Sequence, residues 1–261
     1  MASFQSDGLR LAYDDIRAGG GETPTIVLVH GFATNRAENW RRLGWYGAFE
    51  RKGYRCAAFD LRGHGESQKP HDPAAYARAA MAADILRLLD HLDIRRPDLM
   101  GYSLGAHLCL AAALAHPGRF GNLILGGVGA RMLPGTAPRA AGAMTMAQAM
   151  QADDPVSIAD PTLKGFRQFA DNQGEDRLAL AACSEGGGAP LSNDDLARLT
   201  LPTVVIAGAR DEIAGDPVAL ANAIPGAKSV ALPACDHFSA IPHALFKAAV
   251  FDFLEGWLDE P

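Results

Sequence analysis

Cysteine is scarce in this chain. Only Cys56, Cys109, Cys183 and Cys235 occur in 261 residues, and no two stand at a CxxC spacing. That scatter excludes a disulfide-stapled scaffold and a cysteine-based zinc site. Cys56 falls in an apolar strand-like run and Cys109 in a helical one, where a buried free thiol is expected. Cys183 and Cys235 would pair only if the fold brought them together, and no pairing is expected. Positive charge is also short: Lys and Arg total 24 against 30 Asp and Glu, a formal net charge of −6. The chain therefore lacks the basic face that nucleic acid or an anionic membrane demands, and neither partner is expected. Charge blocks are absent, and no run approaches the roughly 18 apolar residues of a membrane span. Residues Met1 to Asp7 carry neither a basic nor an apolar targeting segment, so a cytoplasmic location is expected. No ligand spacing calls for a metal or organic cofactor, and nothing bears on oligomeric state.

What is present is ordinary for a globular protein, with 48% apolar and 21% charged residues. The length suits one large domain, or a core with a small insertion. Ala2 to Arg17 read as two strands around Asp7-Gly8, a strong hairpin dipeptide, followed by a flexible Gly19-Gly20-Gly21 connection. Thr25-Ile26-Val27-Leu28-Val29-His30 is a continuous β-branched run, as expected of a strand buried on both faces of a parallel sheet. A helix is expected from Asn39 to Lys52, then a second buried strand over Arg55 to Asp60. A glycine-rich loop, Leu61-Arg62-Gly63-His64-Gly65-Glu66-Ser67, comes next. The following helix, Ala74 to Asp93, carries an apolar stripe through Met81, Ile85, Leu88, Leu89 and Leu92. Later strands are read at Asn122 to Gly127, Thr203 to Gly208 and Ser229 to Leu232, and a last helix at His243 to Leu258. Strands alternating with helices specify an α/β fold with a mainly parallel sheet.

Between about Ala130 and Thr200 this rhythm stops. Pro134, Pro138, Pro155, Pro161 and Gly186-Gly187-Gly188 break the segment into three or four short helices. Met132, Met144, Met146, Met150, Phe166 and Phe169 offer soft apolar surface. We read residues 1–130 and 200–261 as the core domain and 131–199 as a helical cap. Sites in open α/β sheets lie at the carboxyl ends of the strands, where this insertion emerges.

The core is organised around Gly101-Tyr102-Ser103-Leu104-Gly105, between a strand at Asp98 and a helix expected from Ala106 to His116. A serine at a strand-to-helix turn is held in a cramped conformation with its hydroxyl outward, and the glycines avoid collision with the neighbouring strand and helix. The plainer alternative is a tight turn in which Ser103 only caps the helix. A serine nucleophile needs a general base oriented by a third group. His237 lies just past the last strand. His107 and His116 are expected to face away from the hydroxyl on the helix, and His71, His91 and His243 suit surface or packing roles. Asp211 follows the strand Thr203 to Gly208 at once and is the expected acid, ahead of Asp216 and Asp236; a helix cap or a pair with Arg210 is its structural alternative. The order Ser103, Asp211, His237 is that of a nucleophile-elbow enzyme. The backbone N–H groups of Leu104 and Phe32 are the expected oxyanion donors, with Gly31 permitting close approach and His30 bracing the loop.

His30-Gly31-Phe32, Asp60 to Ser67, Gly101 to Gly105, Gly208-Ala209-Arg210-Asp211 and Asp236-His237-Phe238 together resemble the α/β-hydrolase superfamily. The resemblance implies the α/β-hydrolase fold: an eight-stranded, mostly parallel sheet flanked by helices, its second strand antiparallel, with a small helical cap after the sixth strand. It implies a structural role for the Arg62–Ser67 loop and for His64. Superfamily members that open epoxides or remove halides use an aspartate nucleophile, which Ser103 replaces. The expected activity is hydrolysis of a small or medium carboxylic ester, with the small-molecule ester as sole partner. A lactonase, thioesterase, C–C bond hydrolase or cofactor-free haloperoxidase would use the same residues, and a slow-turnover ligand receptor is an alternative of another class. Activity is expected to rise with pH through the ordinary histidine range, near about 6.5.

Overall fold

The computed structural model describes residues 2–17, 23–135, 142–188 and 191–259. The glycine run at 19–21 and Pro138 lie outside the described residues. The first hairpin pairs β1 (Ala2–Ser6) with β2 (Leu9–Ile16) antiparallel. Both turn residues have positive φ, 55° at Asp7 and 77° at Gly8, as a two-residue hairpin turn requires. The remaining strands are β3 (Thr25–Val29), β4 (Arg55–Phe59), β5 (Asp98–Tyr102), β6 (Leu123–Gly126), β7 (Thr203–Gly208) and β8 (Lys228–Leu232). They form one eight-stranded sheet in the order β1-β2-β4-β3-β5-β6-β7-β8. Pairing is antiparallel from β1 through β4 and parallel from β4 through β8, so β2 runs against its neighbours.

β5 and β7 are buried at every residue and β3 at all but its first. Helices on both faces account for this. α2 (Arg78–His91) and α3 (Leu104–Ala115) pack with Val27, Leu99, Leu125 and Val205 on one face, and α8 (Pro217–Asn222) joins them through Leu220. α1 (Trp45–Arg51) and α9 (Ala244–Leu254) cover the other face through Trp45, Phe49, Phe246 and Val250 over Leu28, Met100 and Ile206.

Two expected helices are divided. Over Asn39–Lys52 a π-helical turn, Ala37–Arg41, precedes α1, and Gly44 separates them at φ 72°. Over Ala74–Asp93 a 3-10 turn, Pro73–Tyr76, leads through extended Ala77 (ψ 131°) into α2. α3 starts two residues before its expected Ala106, directly after Ser103.

Between β6 and β7 lie α4 (Met146–Gln151), α5 (Pro161–Gln173), α6 (Arg177–Glu185) and α7 (Asn193–Ala197). The first three start on side-chain caps from Thr145, Asp160 and Asp176, which satisfy amide groups the helices leave free. Their apolar faces meet in a small cluster of Met150, Phe166, Ala170 and Leu180 with Ala33 of the core. Glu175 ties the insertion down, accepting from Asn35 Nδ2 at 2.9 Å and from the Gly65 amide at 2.8 Å.

Candidate active site

Ser103 ends β5 and opens α3 at φ 52°, ψ −115°, a conformation that a non-glycine residue adopts only under local strain. The surroundings enforce it. A Cβ at Gly101 would strike the Gly105 carbonyl and the Ala106 amide, and one at Gly105 would strike the Val29 and His30 carbonyls. α3 can therefore sit directly on β3 and β5 only with glycine on both sides of the turn. The hydroxyl does not cap the helix. It points instead to His237, with Oγ 3.0 Å from Nε2.

His237 follows β8, and its Nδ1 lies 2.8 Å from Asp211 Oδ2. Asp211 sits three residues past β7, its side chain 0% exposed against 5% for the imidazole. Its other oxygen, Oδ1, accepts from the Ile213 and Ala214 amides at 3.1 and 2.8 Å, which fixes the carboxylate in one orientation. A carboxylate only accepts, so the neutral ring carries its hydrogen on Nδ1 and turns the Nε2 lone pair to Ser103. Arg210 takes no part. Asp216 caps α8 through Val218, and Asp236 closes its own turn onto Phe238 and Ser239, so neither reaches the imidazole.

Phe32 follows β3 on a loop that lies against the serine. A Cβ at Gly31 would stand 3.5 Å from Ser103 Cβ, and the Gly31 amide donates to Asn39 Oδ1 at 2.9 Å. Among the described residues, the Phe32 and Leu104 amides have no backbone acceptor. His30 braces the loop: Nδ1–H donates to the Gly31 carbonyl at 2.7 Å and Nε2 accepts from the Leu61 amide at 2.9 Å. Burial, with His64 nearby, holds its pKa well below the ordinary histidine range, so it stays neutral. His64 accordingly packs in this structural layer, and Asp60 binds Arg36 and the Glu66 amide beneath it.

Several contributors carry no sequence signal. Tyr102, the variable residue of the Gly-x-Ser-x-Gly pattern, donates from its hydroxyl to the His237 carbonyl at 2.5 Å, and its ring lies 5.5 Å from the imidazole. Phe166 of α5 stands 6.2 Å from the same ring, edge-on. Phe238 is the third aromatic neighbour at 5.7 Å. These rings wall a cavity of about 200 Å³ that opens on Ser103 and His237. A second cavity of about 320 Å³ reaches Ser103 from α2, α3 and α6. His107 stands in its wall, because α3 begins at Leu104 and its first turn borders Ser103. The other histidines lie elsewhere: His71 against Asp176, His91 against Tyr13, and His243 as the cap of α9. All four cysteines are buried and free. Among the described residues no cluster of His, Cys, Asp or Glu could hold a metal ion, and no helix is long and apolar enough to cross a membrane.

A family model for the alpha/beta hydrolase fold matches residues 24–144, the stretch from just before β3 to just before α4. The chain has the α/β-hydrolase fold. A crystal structure of a hydrolase from Pseudomonas aeruginosa PA01 superposes with a TM-score of 0.75 at 29% identity, over 97% of each chain. The enol-lactonase from Burkholderia xenovorans LB400 superposes at 0.71 with 25% identity, over 97% of this chain and 100% of that one. An epoxide hydrolase from Caballeronia sordidicola is 37% identical over 100 residues, 38% of this chain and 30% of the relative. With three further curated relatives the matched stretch likewise covers only 32–41% of their length. The likeness that spans the whole chain is thus one of fold.

Proposed function

We propose that this α/β-hydrolase is a serine hydrolase that cleaves carboxylic esters of small or medium acyl groups. The hydrogen-bonded chain from Ser103 through His237 to Asp211 carries the reading. Ser103 Oγ attacks the ester carbonyl while His237 Nε2 takes its proton, and Asp211 stabilises the imidazolium that forms. The Phe32 and Leu104 amides receive the oxyanion, and the start of α3 adds its positive end. Collapse breaks the bond to the leaving oxygen, which takes the proton from His237. Water then repeats the sequence on the acyl-enzyme and frees Ser103. Residues 131–199 act as a cap, with Phe166 and Phe169 closing the cavity over the serine.

An aspartate-nucleophile reaction is disfavoured by the serine at position 103, although four relatives are named epoxide hydrolases. A lactone is the second reading, favoured by the full-length likeness to a protein named an enol-lactonase. It needs no change of mechanism, because the leaving oxygen simply stays attached to the acyl chain. Hydrolysis of a short p-nitrophenyl ester by wild type and Ser103→Ala tests the proposal. Turnover should fall by at least about 10³-fold in the variant; retained turnover would refute it.

A further inference from the structure

The cavity of about 320 Å³ on the α2–α3 side contains a cation without a counter-charge. Arg78, the first residue of α2, is half-buried in its wall. Burial alone pulls its pKa down, with no opposing charge or hydrogen bond. Among the described residues its guanidinium makes no ion pair and no side-chain hydrogen bond, and no Asp or Glu lines the cavity. Every other polar group there is already used or uncharged. Ser184 Oγ donates to the Ala181 carbonyl at 2.7 Å. The Cys183 thiol is pushed up to about 12 by burial and stays neutral. His107 is held neutral, at about 4, first by burial and then by the charge of Arg78. Its Nδ1 is buried without a partner. The remainder of the wall is apolar: Met81, Leu108, Met146, Phe166 and Ile213.

A half-buried guanidinium with five unfilled donors is costly to keep, and its planar fork matches a carboxylate in two parallel hydrogen bonds. Which part of a substrate lies there follows from the proton's route. The leaving oxygen must collect its proton from His237 Nε2, so the alcohol side belongs in the cavity that His237 walls. The α2–α3 cavity shares Ser103 and Phe32 with it and adds Leu104 but not His237, which leaves it to the acyl side.

We infer that the substrate's acyl chain ends in a carboxylate, bound by the Arg78 guanidinium beside His107, so that hydrolysis yields a dicarboxylic acid. This inference rests on the serine-hydrolase reading for its orientation only, because the anion site itself depends on Arg78 and the cavity.

The test compares p-nitrophenyl hydrogen adipate with p-nitrophenyl hexanoate in wild type, Arg78→Met and Arg78→Lys. The wild-type kcat/KM ratio should favour the carboxylated ester by about ten- to a hundredfold. The ratio should collapse to about one in Arg78→Met and recover in part in Arg78→Lys. A wild-type ratio of one or less, or a ratio unmoved in both variants, would overturn the inference. Binding supplies a readout free of turnover: by calorimetry, Ser103→Ala should bind monomethyl adipate at least about tenfold more tightly than methyl hexanoate, and equal binding overturns the anion site. Failure of Ser103 to react with a fluorophosphonate would sink the hydrolase reading instead, while the calorimetric preference would still stand.

Discussion

Acid should weaken this fold through His64. The ring is fully buried; its Nδ1–H donates to the Arg62 carbonyl at 3.0 Å, and its Nε2 is buried with no acceptor. A second proton would sit on Nε2 with nothing to receive it. Burial, only partly offset by the Arg62 carbonyl and aided by Lys69, therefore pulls the pKa to about 4. In the unfolded chain the same ring titrates near about 6.5. Between these values the unfolded chain binds a proton that the folded protein refuses. The stability contribution is present in full above about 6.5, is lost as pH falls toward about 4, and then levels off. The whole gap corresponds to about 3 kcal/mol, of which about 2 kcal/mol is lost by pH 5. Buried carboxyls such as Asp60, Asp84 and Glu175 are pushed the other way, mainly by burial, and titrate with the opposite sign. The informative quantity is thus the difference between wild type and His64→Asn, in which those groups cancel. Urea unfolding followed by fluorescence of buried Trp40 and Trp45 should show that difference shrinking by about 2 kcal/mol from pH 7 to pH 5. A difference constant across that range would refute the reasoning. Because His64 packs on His30 at 5.3 Å and on Phe32 at 5.9 Å, activity should fade over the same range as the loop under the serine loosens.

Tyr102→Phe removes the hydroxyl that holds the His237 carbonyl. Steady-state kinetics should show kcat lowered by about tenfold or more with KM little changed, because His237, the proposed base, is displaced. Gly105→Ala forces a methyl into the Val29 and His30 carbonyls and should cost about 3 kcal/mol in urea unfolding.

Much of the core was legible because both faces of the central strands are covered. After their first residues, Thr25–Val29, Arg55–Phe59 and Thr203–Gly208 had to be apolar, and continuous β-branched and small residues declare that in any sequence. Helix interruptions were harder to read. Gly44 and Ala77 break helices through backbone angles that the apolar stripe does not register. The surroundings of His107 were out of reach for a related reason. Helical spacing placed it relative to α3, but its surroundings depend on where α2 and α6 pass.

Chain order and residue type pointed to the α/β-hydrolase fold and to Ser103, Asp211 and His237, since each follows a recognisable strand end. Only the tertiary structure decided what closes around them. Tyr102 on His237, Phe166 on His237, and Arg78 without a counter-charge beside His107 are meetings of residues distant in sequence. Such contacts leave no local periodicity or motif. They exist because eight strands in crossed order carry α2, α3 and the insertion to the same edge of one sheet.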